Sequence, residues 1–434
     1  MTATTAAVEA VWRIESGRLV AALARITGDF PAAEDLAQDA LEIALTQWPR
    51  DGMPDHPASW LMATAKHLAA DQYRRQLNLT RKLAVLAHQQ TTDHPEGGDP
   101  MATVAEDLDV AVHDDLLRLM FTACHPVLST DSQVALTLRT LGGLQTREIA
   151  RAFLTTETTM GQRISRAKKT LTDRQIRFEL PPAAELPDRL ASVLAVVYLI
   201  FNEGYAASGG DDWARPALCH DALRLGRVLA SLQPDQAEVH GLVALLELQA
   251  ARIPARTGPE GQPVLLADQD RQRWDQLHIS RGLTALERAE HLGGGPYTLQ
   301  AAIAACHACA RSIADTDWRR IAALYTVLAH VAPSPVVDLN RAVAVGMTEG
   351  PARGLALVED LDRRKALSGY PELEAVRATF LHQLGRSTES RAAFTRAAAA
   401  TGNARTRTLY LQQAEQTEHH DSEEHDPEEK ENDP

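Results

Sequence analysis

The sequence predicts an all-α protein. Ala and Leu dominate its 434 residues, aromatic residues make up 5%, and runs with period-two alternation are scarce. Apolar residues recur instead at steps of three and four along most of the chain, the period of one helix face. A chain of this length is expected to hold two to four domains, each large enough for its own core.

Residues 1–78 read as a compact run of helices. Pro31 suits the first turn of one of them, and Ala37, Leu41, Ala44 and Trp48 form its inward stripe. Glu34, Asp35, Gln38, Asp39 and Glu42 are expected on the outside. That carboxylate-rich face is either simply solvated or complementary to a basic partner. The next helix begins near Pro57. Trp60, Leu61, Thr64, Leu68 and Tyr73 are placed partly inward, while Lys66, His67, Gln72, Arg74 and Arg75 offer positive charge and donors. Aromatic beside basic side chains suit unstacked bases on a single strand, although a core aromatic and a solvated Arg pair explain each residue at less cost.

Residues 79–112 lose periodicity, and 93–100 hold Asp, Glu, Gly and Pro, which reads as an acidic flexible linker. Residues 113–178 are helical again and end in the most informative stretch, 143–171. There a short helix with Ile149, Ala150 and Phe153 on its apolar face is followed by the connection Leu154-Thr155-Thr156. A second helix places Met160, Ile164, Ala167 and Leu171 inward. Thr158, Thr159, Gln162, Arg166 and Lys169 fall mostly on its other side. A short helix bracing a basic, hydroxyl-rich one is the helix-turn-helix way of entering a DNA major groove. The chain as a whole carries a net charge of −14, but residues 143–178 hold eight Arg or Lys against three Asp or Glu. Phosphate neutralisation needs local positive charge, not a basic average. An amphipathic helix pair with a solvated basic face fits this stretch alone equally well.

Three prolines in 179–187 mark a domain boundary. Residues 184–335 read as helical, with breaks at Gly209-Gly210, 254–263 and 293–296. Residues 336–416 read as stacked helical hairpins: Leu339-Asn340-Arg341-Ala342 with a break at Gly350-Pro351 resembles Val376-Arg377-Ala378 with a break at Gly385-Arg386, a spacing of about 35 residues near the tetratricopeptide period. Residues 417–434 carry nine acidic residues, one Lys and no apolar residue, and are expected to stay disordered.

Four cysteines, Cys124, Cys219, Cys306 and Cys309, make no disulfide framework in a chain this long. Cys306-His307-Ala308-Cys309 has CxxC spacing but lies in a helical run, with no second pair and with Ala302 where a zinc pattern of this kind wants His. Buried small residues are expected there and no metal. Glu203, Asp268, Asp270 and His307 are the remaining acid–base candidates. No spacing matches a metal, phosphate-loop or nucleophile motif, so neither a catalytic site nor a cofactor is expected. The longest apolar run, residues 190–201, is too short to span a bilayer, and the N-terminus lacks a signal pattern. No membrane association and a cytoplasmic location are expected.

Three blocks in order carry a family resemblance. They are Ala33-Glu34-Asp35-Leu36-Ala37-Gln38-Asp39, the helix from Trp60-Leu61 to Asp71-Gln72-Tyr73-Arg74-Arg75, and 143–171 with Glu148-Ile149-Ala150, Arg163 and Arg166-Ala167-Lys168. Together they resemble regions 2.2, 2.3–2.4 and 4.2 of the extracytoplasmic-function sigma factors of bacterial RNA polymerase. The remainder resembles the helical, tetratricopeptide-like C-terminal extension of one sigma subgroup, on Phe201-Asn202-Glu203-Gly204-Tyr205, Gln269-Asp270-Arg271-Gln272-Arg273-Trp274 and Pro333-Ser334-Pro335-Val336-Val337-Asp338-Leu339-Asn340-Arg341-Ala342.

The resemblance implies a region-two helical bundle (1–78), a linker (79–112), a region-four helix-turn-helix (113–178), an extension (184–335), hairpins (336–416) and a tail (417–434). It implies that Asp35, Gln38 and Asp39 dock on the clamp helices of the β′ subunit of a core polymerase bound through β and β′. Lys66, His67, Asp71, Arg74 and Arg75 would read and hold the melted −10 element. Thr158, Thr159 and Gln162 would sit near base edges of the −35 element, with Arg163, Arg166 and Lys169 mostly on phosphates. The extension would control activity and take a protein partner or regulator. Two departures are visible: His67 stands where the family usually has Asn, and Leu154 replaces the usual turn Gly, with Gly161-Gln162 in place of a more typical polar pair. The rival reading is a conventional helix-turn-helix regulator with a tetratricopeptide-like sensor, which leaves the N-terminal block without a role.

Overall fold

The computed structural model describes residues 3–87, 108–259 and 261–424. Most of the expected linker, including 93–100, and residues 425–434 of the expected tail lie outside the described residues. The chain is mostly helical and divides into two compact units, Met1–Val197 and Tyr198–Pro434.

The first unit opens with α1 (Ala3–Thr27), α2 (Phe30–Asp51) and α3 (Pro57–Ala87). The Asp29 carboxylate accepts the Ala32 N–H at 3.4 Å to start α2, and Pro31 occupies its first turn. The stripe Ala37, Leu41, Ala44 and Trp48 is buried. Trp48 meets Trp60 edge-on, with ring centroids 5.4 Å apart, and this pair sets the α2–α3 corner. The helix α3 runs past residue 79, where the linker was expected to begin, because extending an existing helix requires no new nucleus. Then follow α4 (Leu108–Ala123), which also begins inside the expected linker, α5 (Thr130–Thr140), α6 (Thr146–Ala152) and α7 (Glu157–Asp173). The helix α1 packs on α4 and α5, so the two helical groups form one body. The unit ends in α8 (Leu186–Tyr205), which starts after the proline-rich boundary. The long apolar run lies in α8, which continues into the second unit, and supplies buried Leu190, Val193, Leu194 and Val197 to the first.

In the second unit β1 (Gly209–Gly210) precedes α9 (Pro216–Leu232), α10 (Ala237–Ala250), α11 (Gln276–His291), α12 (Pro296–Cys309) and α13 (Trp318–Val331). Leu245, Leu248, Trp274, Ile279 and Leu286 share one core there. The Glu238 carboxylate accepts the Tyr297 and Thr298 N–H groups at 2.8 and 3.1 Å, satisfying the orphan donors that open α12. The hairpins expected from the repeat are present as α14 (Pro335–Glu349) with α15 (Pro351–Arg363), and α16 (Pro371–Gln383) with α17 (Ser387–Ala400). Ala342 and Ala378, the matching positions of the two copies, are both fully buried. A Cβ on Gly346 or Gly354 would fall 2.4 or 2.5 Å from the Phe380 ring, so glycine is what lets these helices close on it. A short strand, β2 (Gly402–Asn403), pairs in parallel with β1, and α18 (Ala404–Glu424) closes the unit. Residues 417–424 are therefore helical and not disordered as expected: Thr417 is buried, and the packed helix propagates into the polar stretch.

The CxxC pair also departs from expectation. Cys306 is half-buried and Cys309 exposed, because α12 ends there. No group of three or more potential metal ligands exists among the described residues. Glu203 is paired with Arg215, and Asp270 caps the turn at Gln272, so both are structurally employed. No helix among the described residues is long and apolar enough to cross a membrane.

His307 packs edge-on against Trp318 at 5.2 Å. Burial first, and then the Arg252 and Arg271 charges, push its pKa down to about 4. The ring is neutral in the folded protein and ionises on unfolding, so lowering the pH from 6.5 toward 4 favours the unfolded chain. Urea titrations of the full chain across that window are expected to lose about 3 kcal/mol on this account, and His307→Phe to flatten the dependence.

Candidate nucleic-acid interface

The second helical group is built as the spacing predicted. The Glu148 carboxylate accepts the Gln145 N–H at 2.8 Å and opens α6. Leu154 takes φ +49° in the turn, the left-handed conformation in which glycine would be free of strain. The Thr156 hydroxyl then accepts the Thr159 N–H at 3.1 Å and caps α7. Met160, Ile164, Ala167 and Leu171 are buried where α7 packs on α5 and α6. Thr158, Thr159, Gln162, Arg166 and Lys169 are exposed on the opposite side. Arg163 differs from them: it is half-buried, 3.4 Å from Asp131. Thr159 also gives part of its hydroxyl to Thr156, at 2.8 Å.

On α3 the buried residues are Leu61, Ala65 and Ala69, with Trp60 half-buried. His67, Asp71, Arg74 and Arg75 are exposed and Lys66 half-buried. Asp71 and Arg74 pair with each other at 3.1 Å, so part of this face is internally neutralised. A helix face of mixed charge with His67, Lys66 and Arg75 free of ion pairs among the described residues retains donors for a polyanion.

On α2, Asp35 and Asp39 are exposed and Gln38 half-buried. Glu34, expected on the outside, is instead 2% exposed. It faces the second helical group, where Arg139 Nε donates to it at 3.0 Å and the Lys168 ammonium also reaches it. Lys168 donates to Asp35 as well, at 2.9 Å. Burial works against the Lys168 charge, but Glu34 and Asp35 outweigh it and hold the pKa above its ordinary value. Further contacts seal the same junction: Arg13 to Glu148 at 2.6 Å, Arg25 to buried Asp115 at 2.8 Å and Arg147 to Glu9 at 3.7 Å. Gly143, at φ +69°, lies so close to α1 that a Cβ would come 2.7 Å from the Ser16 hydroxyl and 3.0 Å from the Arg13 backbone. The sequence alone could not place Glu34 or Lys168 in this junction, since both lie beside exposed charged neighbours and nothing in their spacing names a partner.

Three family models match this chain: Sigma-70 region 2 over residues 13–78, Sigma-70, region 4 over residues 118–171, and a family of unknown function (DUF6596) over residues 189–290. An uncharacterized protein of Rhizobium meliloti (strain 1021) is 44% identical over 385 residues, covering 88% of this chain and 89% of its own. No solved structure matches.

The chain belongs to the extracytoplasmic-function sigma factors with a C-terminal extension. As such it is a non-enzymatic factor of transcription initiation that binds core RNA polymerase and promoter DNA. The regulator reading is set aside because it leaves the region 2 match without a role. The α1–α3 bundle corresponds to region two and α4–α7 to region four of the sigma factor.

Gly161, inside the helix expected to read DNA, has open space: an added Cβ would meet only Thr146 Cγ2, at 3.8 Å. Gly161→Ala is expected to stabilise the protein by about 1 kcal/mol in chemical denaturation. If the backbone there approaches DNA closely, the same variant weakens binding to a −35 duplex, measured by fluorescence anisotropy.

Proposed function

We propose that this sigma factor reads the −35 element through Thr158, Thr159, Gln162, Arg163, Arg166 and Lys169 on α7. Lys66, His67, Asp71, Arg74 and Arg75 on α3 engage the −10 element, and Asp35, Gln38 and Asp39 on α2 dock on the β′ clamp helices. The observation that carries the reading is the sidedness of α7, whose apolar stripe is buried while its hydroxyl, amide and basic groups face solvent. Charge complementarity at the α2 face sets orientation and on-rate more than raw affinity. Core polymerase lacking any sigma factor is expected to initiate at defined promoters when the full-length chain is added, read by run-off transcription on a promoter library. Absence of initiation on every promoter defeats the proposal.

The junction between regions two and four supports a closed form that opens on use. By their names the −35 and −10 elements lie about 25 base pairs apart, roughly 85 Å along a duplex. A compact body of the first unit's size spans roughly 40 Å. One closed unit therefore cannot cover both, and the Glu34 contacts to Arg139 and Lys168 must break for promoter binding. Glu34→Ala leaves half-buried Arg139 without its carboxylate and Lys168 with Asp35 alone, and is expected to cost about 2 kcal/mol in urea denaturation. Dyes on Thr46→Cys and Thr172→Cys, in a Cys309→Ser background, are expected to lose energy transfer when core polymerase is added. Unchanged transfer in a transcribing complex rejects the opening.

The helical extension (184–335) and the hairpins (336–416), a kind of array that commonly offers concave binding surfaces, support a role in controlling the sigma core, through a protein partner or regulator. A chain that ends after α8 is expected to differ from the full chain in run-off transcription, and equal activity removes that role.

A further inference from the structure

The motif Phe201-Asn202-Glu203-Gly204-Tyr205 belongs to no promoter or polymerase contact. In the second unit its last two residues, Gly204 and Tyr205, line a cavity of about 380 Å³ together with Asp211, Asp212, Trp213, Arg256 and Arg405, among others. That volume falls in the range of about 300–1,000 Å³ typical of small-molecule sites.

The cavity is built, not incidental. Arg256 is 7% exposed, and its guanidinium carbon lies 3.4 Å from the Tyr205 ring centroid and 5.0 Å from that of Trp213. One of its Nη groups donates to the Tyr205 carbonyl at 3.0 Å. Its Nε is buried with no hydrogen-bond partner among the described residues, and so are the Tyr205 hydroxyl and Trp213 Nε1. Three unsatisfied donor groups on the residues of one cavity are costly unless something else accepts from them. Arg256 also makes no ion pair with a carboxylate among the described residues, and buried charge is normally paired. The neighbouring Arg252 is held by amide oxygens of Gln269 and Gln249, at 3.3 and 3.2 Å, and not by a carboxylate. The lining residues thus carry positive charge, N–H and O–H donors and aromatic rings, with the three unpartnered donor atoms closed off from solvent.

The opposite charge stands in the same cavity. Asp211 and Asp212 are exposed carboxylates on the loop that carries Trp213. That loop is held in place from the far end of the unit. The β1–β2 pairing fixes Gly209 and Gly210, and Asn403 Nδ2 donates to the Ala207 and Asp212 carbonyls at 3.3 and 2.8 Å. Ala207 N–H donates to the Trp213 carbonyl at 3.0 Å, and Glu203 pairs with Arg215 beneath.

We propose that this cavity binds a small organic zwitterion of amino-acid size. Its carboxylate is taken by Arg256, Trp213 Nε1 and the Tyr205 hydroxyl once side-chain shifts open these buried donors, its ammonium faces Asp211 and Asp212, and its body lies against the Trp213 ring, since Arg256 and Phe201 already cover that of Tyr205. A phosphate group is disfavoured because its second negative charge meets the same two aspartates. The site stands independently of the promoter and polymerase assignments.

The test uses the full-length protein with the twenty L-amino acids, acetate and inorganic phosphate at millimolar concentration, read by thermal shift and confirmed by titration calorimetry. At least one amino acid is expected to raise the melting temperature and to give saturable heat. Trp213→Phe and Tyr205→Phe each keep a ring in place and remove one donor. Each is expected to weaken that binding roughly tenfold, the loss of one hydrogen bond to a charged group. Arg256→Gln is expected to abolish it. Circular dichroism shows whether the variants remain folded, and the two ring variants carry the test if Arg256→Gln does not. Absence of binding by every amino acid overturns the proposal, as does binding unchanged in both ring variants or tight binding of inorganic phosphate alone.

Discussion

The buried carboxylate of Glu34 holds region two to region four. Its two partners, Arg139 on α5 and Lys168 on α7, come from region four, and Glu34 itself comes from α2 of region two. A carboxylate at 2% exposure needs this pairing, since an uncompensated buried charge costs far more than a pair returns. Around it Arg13, Arg25 and Arg147 tie α1 to region four, and Gly143 brings the two backbones into contact. The closed first unit is therefore joined by ion pairs as well as by the apolar packing of α1 on α4 and α5. Such an interface is specific, yet a competing charged surface can take it apart.

This arrangement gives Lys168 and Asp35 two roles. In the closed unit they satisfy each other, and under the proposed opening Asp35 is released for a basic partner. The exposed side of α7 is untouched by the junction, because Lys168 lies on the flank that turns toward α2 while Thr158, Gln162, Arg166 and Lys169 face solvent. One helix can thus be docked and keep its polar face clear. The second unit works by a different physics. Its helices close by glycine-permitted contacts such as Gly346 and Gly354 on Phe380, and its polar interior is gathered around Arg252, Arg256 and Arg271.

Much of the site was legible in the sequence because it is local. The stripe Met160, Ile164, Ala167 and Leu171 fixes which side of α7 is buried, and the hydroxyl and basic residues then have only the other side. The same reasoning placed Ala37, Leu41, Ala44 and Trp48 inside α2. It failed at Glu34, since a helix pattern assigns a carboxylate between exposed neighbours to solvent unless a long-range cation is known. It failed at 79–87, an apolar-rich run assigned to the linker with the acidic segment that follows it, and at 417–424, whose polar composition argues against independent order although a helix already nucleated by packing runs on through it.

Sequence by itself determined the helical class, the order of region two, region four and extension, and the inward face of each reading helix. These follow from periodicity and motif spacing, both short-range properties of the chain. Tertiary structure alone decided what the charged residues do: that Glu34 bridges two regions, that Asp71 and Arg74 neutralise each other, that Arg163 answers Asp131, and that Arg256 is buried beside two aromatic rings without a carboxylate. The reason is that a charge acquires its role from partners distant in the chain, and only the folded chain brings them within a few ångströms of one another.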